Sequence, residues 1–264
     1  MLIICISLQA ISVSKASAAT SMLLSVREAG TMKENDPRTI FIDVRSDKQF
    51  EKIRIPGSIN IPAHFLRTKK YLQNVSVILV DEGYEPTALL STCEKLNTQG
   101  FHASVLAGGI AAWHQRKKEL TGEIFAGTNL HFLPPSALHN KSGEGSFIKT
   151  FIDVSESALD TPFANTEHLP VTEQQDVHKV IGFIAEMQLD DKSVVLLFNE
   201  QGNYDFFTTL PDDGNFPTLF FLTGGLAAYS EFEKQQQALL QPRESRLRTI
   251  GSCETCPPAA EKNE

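Results

Sequence analysis

The chain lacks a surplus of positive charge. Its 24 lysines and arginines stand against 32 aspartates and glutamates, a formal net charge of −8 at pH 7. Nucleic acids and anionic membranes both demand a basic surface, so neither is expected as the main partner. Past the N-terminus it also lacks an apolar run long enough to cross a bilayer, which argues against a transmembrane span in the mature chain. Cysteine is scarce, with four in 264 residues, and none of the seven histidines stands at metal-ligand spacing from another. No metal and no cofactor are expected on that basis, and surface histidine is the default reading. What remains is ordinary globular material, 41% apolar and 21% charged, long enough for two domains of common size.

Residues 1–19 stand apart. Leu2 to Leu8 and Ala10 to Val13 form an apolar run, and Ala16-Ser17-Ala18 has the small residues of a cleavage site. This is the pattern of a secretory signal peptide without its usual positive start, which implies export to the periplasm or beyond; a mis-started or disordered N-terminus is the other reading. Cleavage near Ala18 would remove Cys5 and leave Cys93, Cys253 and Cys256, of which only the last two are close enough to suggest a local pair.

Met22 to Ala29 reads as a short helix and Thr39 to Arg45 as a buried strand that ends at Asp43. Pro56 and Pro62 bracket a short strand, a placement that favours a sheet edge. Val77-Ile78-Leu79-Val80 is an unalternating apolar run, the mark of a strand buried on both faces in a parallel sheet. It breaks into Asp81-Glu82-Gly83-Tyr84-Glu85-Pro86-Thr87, a loop at a strand's carboxyl end that reopens as a helix, with Gly100 as its stop. In open α/β sheets ligands bind at that end. Ser104 to Leu106 gives a further strand and Gly108-Gly109 opens a helix carrying Trp113.

These landmarks recur. Phe151-Ile152-Asp153-Val154 repeats Phe41-Ile42-Asp43-Val44 about 110 residues later. Val194 to Glu200 repeats the strand and turn, and Phe221 to Tyr229 repeats the Gly-Gly helix, at offsets of roughly 116 to 118. Order and spacing both survive, so two copies of one domain are expected: residues 21–120 and 130–240, joined by 121–129. His139 to Gly145 makes a polar loop inside the second copy. Residues 241–264, poor in apolar side chains, read as a flexible tail.

Asp43-Val44-Arg45, Phe50, Ile55-Pro56-Gly57-Ser58-Ile59-Asn60-Ile61-Pro62 and Leu106-Ala107-Gly108-Gly109-Ile110-Ala111-Ala112-Trp113 together resemble the rhodanese homology domain. The first copy resembles it over nearly its whole length. The second keeps Asp153-Val154 and Gly224-Gly225 but has Ser155 for the arginine and Tyr229 for the tryptophan. The resemblance implies α/β copies, each a doubly wound, mostly parallel sheet with helices on both faces. The alternation of strands and helices gives the same class.

Active members of that family carry sulfur as a cysteine persulfide in a loop of the form Cys-x-x-Gly-x-Arg-Ser. The chemistry needs a low-pKa thiolate in a cradle of backbone N–H groups at a helix N-terminus. By this resemblance, Asp81 stands at the cysteine, Gly83 one place before the glycine, Pro86 at the arginine and Thr87 at the serine. In the second copy Asn199 stands at the cysteine, Gly202 at the glycine, Tyr204 at the arginine and Asp205 at the serine, with Glu200 in between. Neither loop offers a nucleophile. Asp81, Glu82 and Glu85 read either as acids favoured at a helix start or as a site for a cation or basic peptide. Cys93 falls with Leu89 and Leu96 on one helix face and is expected in the core rather than in chemistry.

Cys253-Glu254-Thr255-Cys256 reads three ways: an inert disulfide, a redox or sulfur-carrying pair, or half of a zinc site. The expectation is therefore a non-catalytic rhodanese-like binding or regulatory protein of the cell envelope, its partner an unidentified protein or small molecule. The alternative is a thiol redox or sulfur-carrier protein working through Cys253 and Cys256.

Overall fold

The computed structural model describes residues 22–138 and 148–240. The leader, the His139 to Gly145 loop and the tail with Cys253 and Cys256 lie outside the described residues. The described residues fall into two compact units: 22–130 with 187–194 and 210–218, and 131–138 with 148–186, 195–209 and 219–240.

In the first unit, β1 (Leu23–Leu24) is followed by α1 (Val26–Asn35), β2 (Ile40–Asp43), α2 (Asp47–Lys52), β3 (Ile53–Arg54) and β4 (Ile59–Asn60). Two 3-10 turns, Ala63–Thr68 and Lys70–Asn74, lead into β5 (Ser76–Val80), α3 (Thr87–Asn97), β6 (His102–Leu106), α4 (Gly109–Gln115) and β7 (Thr121–Gly122). The sheet runs β1-β6-β5-β2-β4, and every neighbouring pair is parallel. The short strand between the prolines is β4, at the edge as proline placement requires.

Residues 22–29 are not one helix. Leu23 and Leu24 pair with Val105 and Leu106 as the opposite edge strand, and α1 begins only at Val26. The break is at Ser25, whose Oγ accepts the Glu28 N–H while the Glu28 carboxylate accepts the Ser25 N–H, a reciprocal capping box. The sequence signal for this start, Ser25 three residues before Glu28, outweighs the apolar residues ahead of it.

The β5 run explains the two-faced core. Val77 and Leu79 pack on one side with Leu89, Cys93 and Leu96 of α3 and with Leu66 and Leu72. Ile78 and Val80 pack on the other with Val26 and Ala29 of α1 and Ile110 and Ala112 of α4. Successive strand side chains point to opposite faces, so an unbroken apolar run is what two helical layers require. Two later segments complete this unit. Lys192 Nζ donates to Leu23 O and to Glu28 Oε2, each at 2.8 Å, and Gln115 Nε2 donates to Pro217 O at 2.9 Å.

The second unit contains β8 (Phe132–Leu133), α5 (Pro135–Leu138), β9 (Ile148–Asp153), β10 (Thr166–His168), α6 (Gln174–Glu186), β11 (Val194–Phe198), β12 (Thr218–Leu222) and α7 (Gly225–Leu240). The first residue of β11 and of β12 groups with the first unit. Its parallel sheet runs β8-β12-β11-β9-β10. Numbered by order of appearance, the main-sheet strands of both units follow one order, first-fifth-fourth-second-third. Every residue of β11 and β12 is buried, and α6 buries Val177, Val180 and Ile184. His131 departs from the surface default: it is buried, and its Nδ1 lies 2.8 Å from Leu219 O.

Among the described residues no helix is long and apolar enough to cross a membrane.

Candidate functional site

Each unit presents one loop where its central strand ends, and the two are built alike. In the first, Val44 N–H donates to Val80 O at 2.9 Å, closing the end of β5 against β2, and the chain turns into Asp81. Ile110 N–H, from the first turn of α4, then donates to Asp81 O at 3.0 Å. Gly83 and Gly109 make this approach feasible. Gly83 has φ +105°, and a Cβ on it would lie 2.6 Å from Gly109 N and closer still to Gly108 O. Loop and helix start are in backbone contact, which only glycine permits at both positive-φ positions.

Asp81 is half-buried. Its carboxylate accepts from its own N–H and that of Gly83, while Oδ1 is shut away from solvent with no hydrogen-bond partner. Burial first, then the neighbouring Glu82 charge, lifts its pKa from 3.8 to about 7, against the lowering effect of the two N–H donors; Asp43 adds a smaller push. Glu82 is held by Gln49 of α2, whose Nε2 donates to Glu82 Oε1 at 2.9 Å. Glu85 Oε1 accepts the Thr87 N–H at 3.1 Å, the helix-start role expected of an acid there. The Tyr84 hydroxyl is pushed up to about 12 by burial and by Glu82 and Asp81. Gln49 was not apparent as part of this site from sequence, since it lies 33 positions away from Glu82 in the chain.

Below the loop, Asp43 and Arg45 form a buried ion pair. Arg45 Nε donates to Asp43 Oδ1 at 3.0 Å and Nη2 to Oδ2 at 2.7 Å, and Nη2 also donates to Ile53 O at 2.7 Å. Asn60 Nδ2 donates to the carbonyls of both Asp43 and Arg45, tying the edge strand to the turn. Asp43 is thus a structural acceptor.

In the second unit Val154 N–H donates to Phe198 O at 2.8 Å and Leu226 N–H to Asn199 O at 2.8 Å, the counterparts of the first unit's contacts. Gly202 stands at φ +77° against Gly224 and Gly225 as Gly83 does against Gly108 and Gly109. The Asn199 amide is fully used inside the loop: Oδ1 accepts the Gly202 N–H at 2.5 Å and Nδ2 donates to Asn203 O at 2.5 Å. Tyr204 is buried, its hydroxyl donating to Leu222 O at 2.8 Å and its ring 4.9 Å from that of Phe221. Burial raises the Tyr204 hydroxyl pKa. Glu200 and Asp205 are exposed.

Asp153 shows how this unit manages without an arginine at Ser155. Its Oδ1 accepts the Ser155 N–H at 3.0 Å, as Asp43 Oδ1 accepts the Arg45 N–H, and its Oδ2 takes the Leu159 N–H at 2.8 Å in place of a guanidinium. A backbone donor six residues away leaves no side-chain signal in the sequence.

Cys93 is fully buried on α3, and burial pushes its thiol up to about 12. Among the described residues no group of three metal-ligating side chains converges.

Residues 25–116 match the family model described as Rhodanese-like domain. No curated protein sequence matches the chain. Similar solved structures include a Bacillus halodurans protein, 23% identical, covering 40% of this chain and 81% of its own at a TM-score of 0.36. A thiosulfate sulfurtransferase from Pseudomonas aeruginosa is 12% identical, covers 80% of this chain and 42% of its own, and has a TM-score of 0.33. A 3-mercaptopyruvate sulfurtransferase from Leishmania major is 12% identical over 82% of this chain and 76% of its own, with a TM-score of 0.30. The likeness to a rhodanese-like domain thus rests on the family model and lies within the first unit.

Proposed function

We propose that the chain is a sulfurtransferase-family protein whose two strand-end loops no longer carry sulfur, and that it acts by binding, as a regulatory or scaffolding protein of the cell envelope. One observation carries this reading. At the positions assigned to the persulfide cysteine, Asp81 and Asn199 turn their side chains onto the N–H groups of their own loops. A sulfur anion needs those donors. Charge acts the same way: two like charges about 4 Å apart cost roughly 1 kcal/mol even in water, so ionised Glu82 opposes thiosulfate at the first loop. Tyr204 fills the second with a buried ring.

The test is turnover of thiosulfate and cyanide to thiocyanate by the full chain. None is expected. Turnover that survives Cys93→Ser would overturn the reading.

The burial of Cys93 also favours a second reading, in which Cys253 and Cys256 carry any thiol chemistry. With Cys5, Cys253 and Cys256 replaced by serine, the folded chain should resist a maleimide and label fully only in denaturant, because a thiol with a pKa near 12 holds almost no thiolate at neutral pH. The native chain, reduced, should label at the tail pair. An unreactive pair, or one whose removal changes no oxidoreductase or sulfur-transfer assay, removes the second reading. Intact mass of the purified native protein tests export, through loss of residues 1–19, in the same measurement.

A further inference from the structure

We infer that the β5–α3 loop is a proton-operated latch, closed while Asp81 is protonated and loosened when it ionises. The two units supply the comparison. Asn199 stands in the same place with a neutral side chain that has one acceptor and one donor, and both are used. Asp81 has the acceptor, facing the Gly83 N–H, but its Oδ1 is buried with nothing to receive. A proton on Oδ1 removes the charge from that enclosed oxygen and leaves the group neutral, as the amide is. Without the proton, a bare anionic oxygen sits away from water, which is costly.

The surroundings favour the neutral form. Glu82, held by Gln49, and Tyr84 lie on the loop itself, and Glu85 follows at the helix start. Asp43 faces it from the end of β2, already engaged by Arg45, and α4 contributes the uncharged Gly108-Gly109 backbone. Oδ1 is closed off from solvent in this loop conformation, in which Gly83 lies in backbone contact with those glycines. Ionisation is relieved by the loop lifting, which frees the Gly83 N–H and uncovers Glu82. The second loop, holding an amide, stays shut at every pH.

The latch rests on loop geometry and not on the loss of sulfur transfer, so either idea can fail alone. Its test is amide hydrogen exchange of Gly83 and Tyr84 in the full chain and in Asp81→Asn, compared at matched pH so that intrinsic rates cancel. Below about pH 6 the two proteins should exchange alike; above about pH 8 the native loop should exchange roughly tenfold faster. The Asp81 carboxyl carbon, followed by NMR in the native chain, should titrate near 7. An Asp81 carbon that titrates in the ordinary carboxylate range overturns the inference, as does matched exchange above that midpoint. The native NMR readout decides even where the variant folds poorly.

Discussion

Replacing Arg45 with methionine should lower the stability of the first unit by about 3–5 kcal/mol, the usual cost of leaving one partner of a buried pair unpaired. Both side chains are almost fully enclosed, at 2% exposure each, so Asp43 would be left buried with no guanidinium beside it and Ile53 O would lose the Arg45 donor. The only tryptophan, Trp113, packs edge-on against Phe41 in this unit, so its fluorescence during urea unfolding reports the change. The double variant with Asp43→Asn should recover part of the loss. At the matching position of the second unit, Ser155→Ala should cost no more than about 0.5 kcal/mol, since the donor there is the backbone N–H. An Arg45 variant as mild as the Ser155 one would show that the pair contributes little.

Alanine at Gly109 or Gly225 should cost about 2–5 kcal/mol. Both stand at positive φ, +50° and +65°, where an L residue costs roughly 1–2 kcal/mol. The added Cβ would also strike loop backbone, at 2.6 Å from Gly83 N in one case and from Glu200 O in the other, an overpacking cost of about 1–3 kcal/mol. Gly30 is the control. It lies within α1, where an added Cβ would meet nothing inside 4 Å, so Gly30→Ala should stabilise by about 0.5–1 kcal/mol. Denaturation midpoints separate these outcomes. Equal effects at Gly30 and Gly109 would mean that the loop does not rest on the helix start.

The features that were legible in the sequence are those with a periodic or repeated signature. Val77 to Val80 announced a doubly buried strand because two helical layers leave no polar face, and Gly108-Gly109 with Gly224-Gly225 announced a repeated helix start because the pair recurs in the same order and spacing. The β1 strand was not legible: two leucines ahead of a capping box carry too little pattern to separate strand from helix. His131 gave no sign of burial, since its ring nitrogen faces a carbonyl 88 residues on. Nor did the Leu159 N–H that replaces a guanidinium at Asp153, for a backbone donor exists at nearly every residue. At the loops, residue types suggested what was absent. Only the folded structure shows that Asp81 and Asn199 take up the N–H groups a sulfur anion would need.

Whether the folded domains accept sulfur at all is tested most directly by trapping of a persulfide. The full chain with Cys5, Cys253 and Cys256 changed to serine is treated with excess thiosulfate and with 3-mercaptopyruvate, then measured by intact mass without a reducing step. No one-sulfur increment and no cyanide-labile sulfur are expected. An increment in that variant, released by cyanide as thiocyanate, would place sulfur on Cys93 and contradict the proposal that the folded domains no longer carry sulfur.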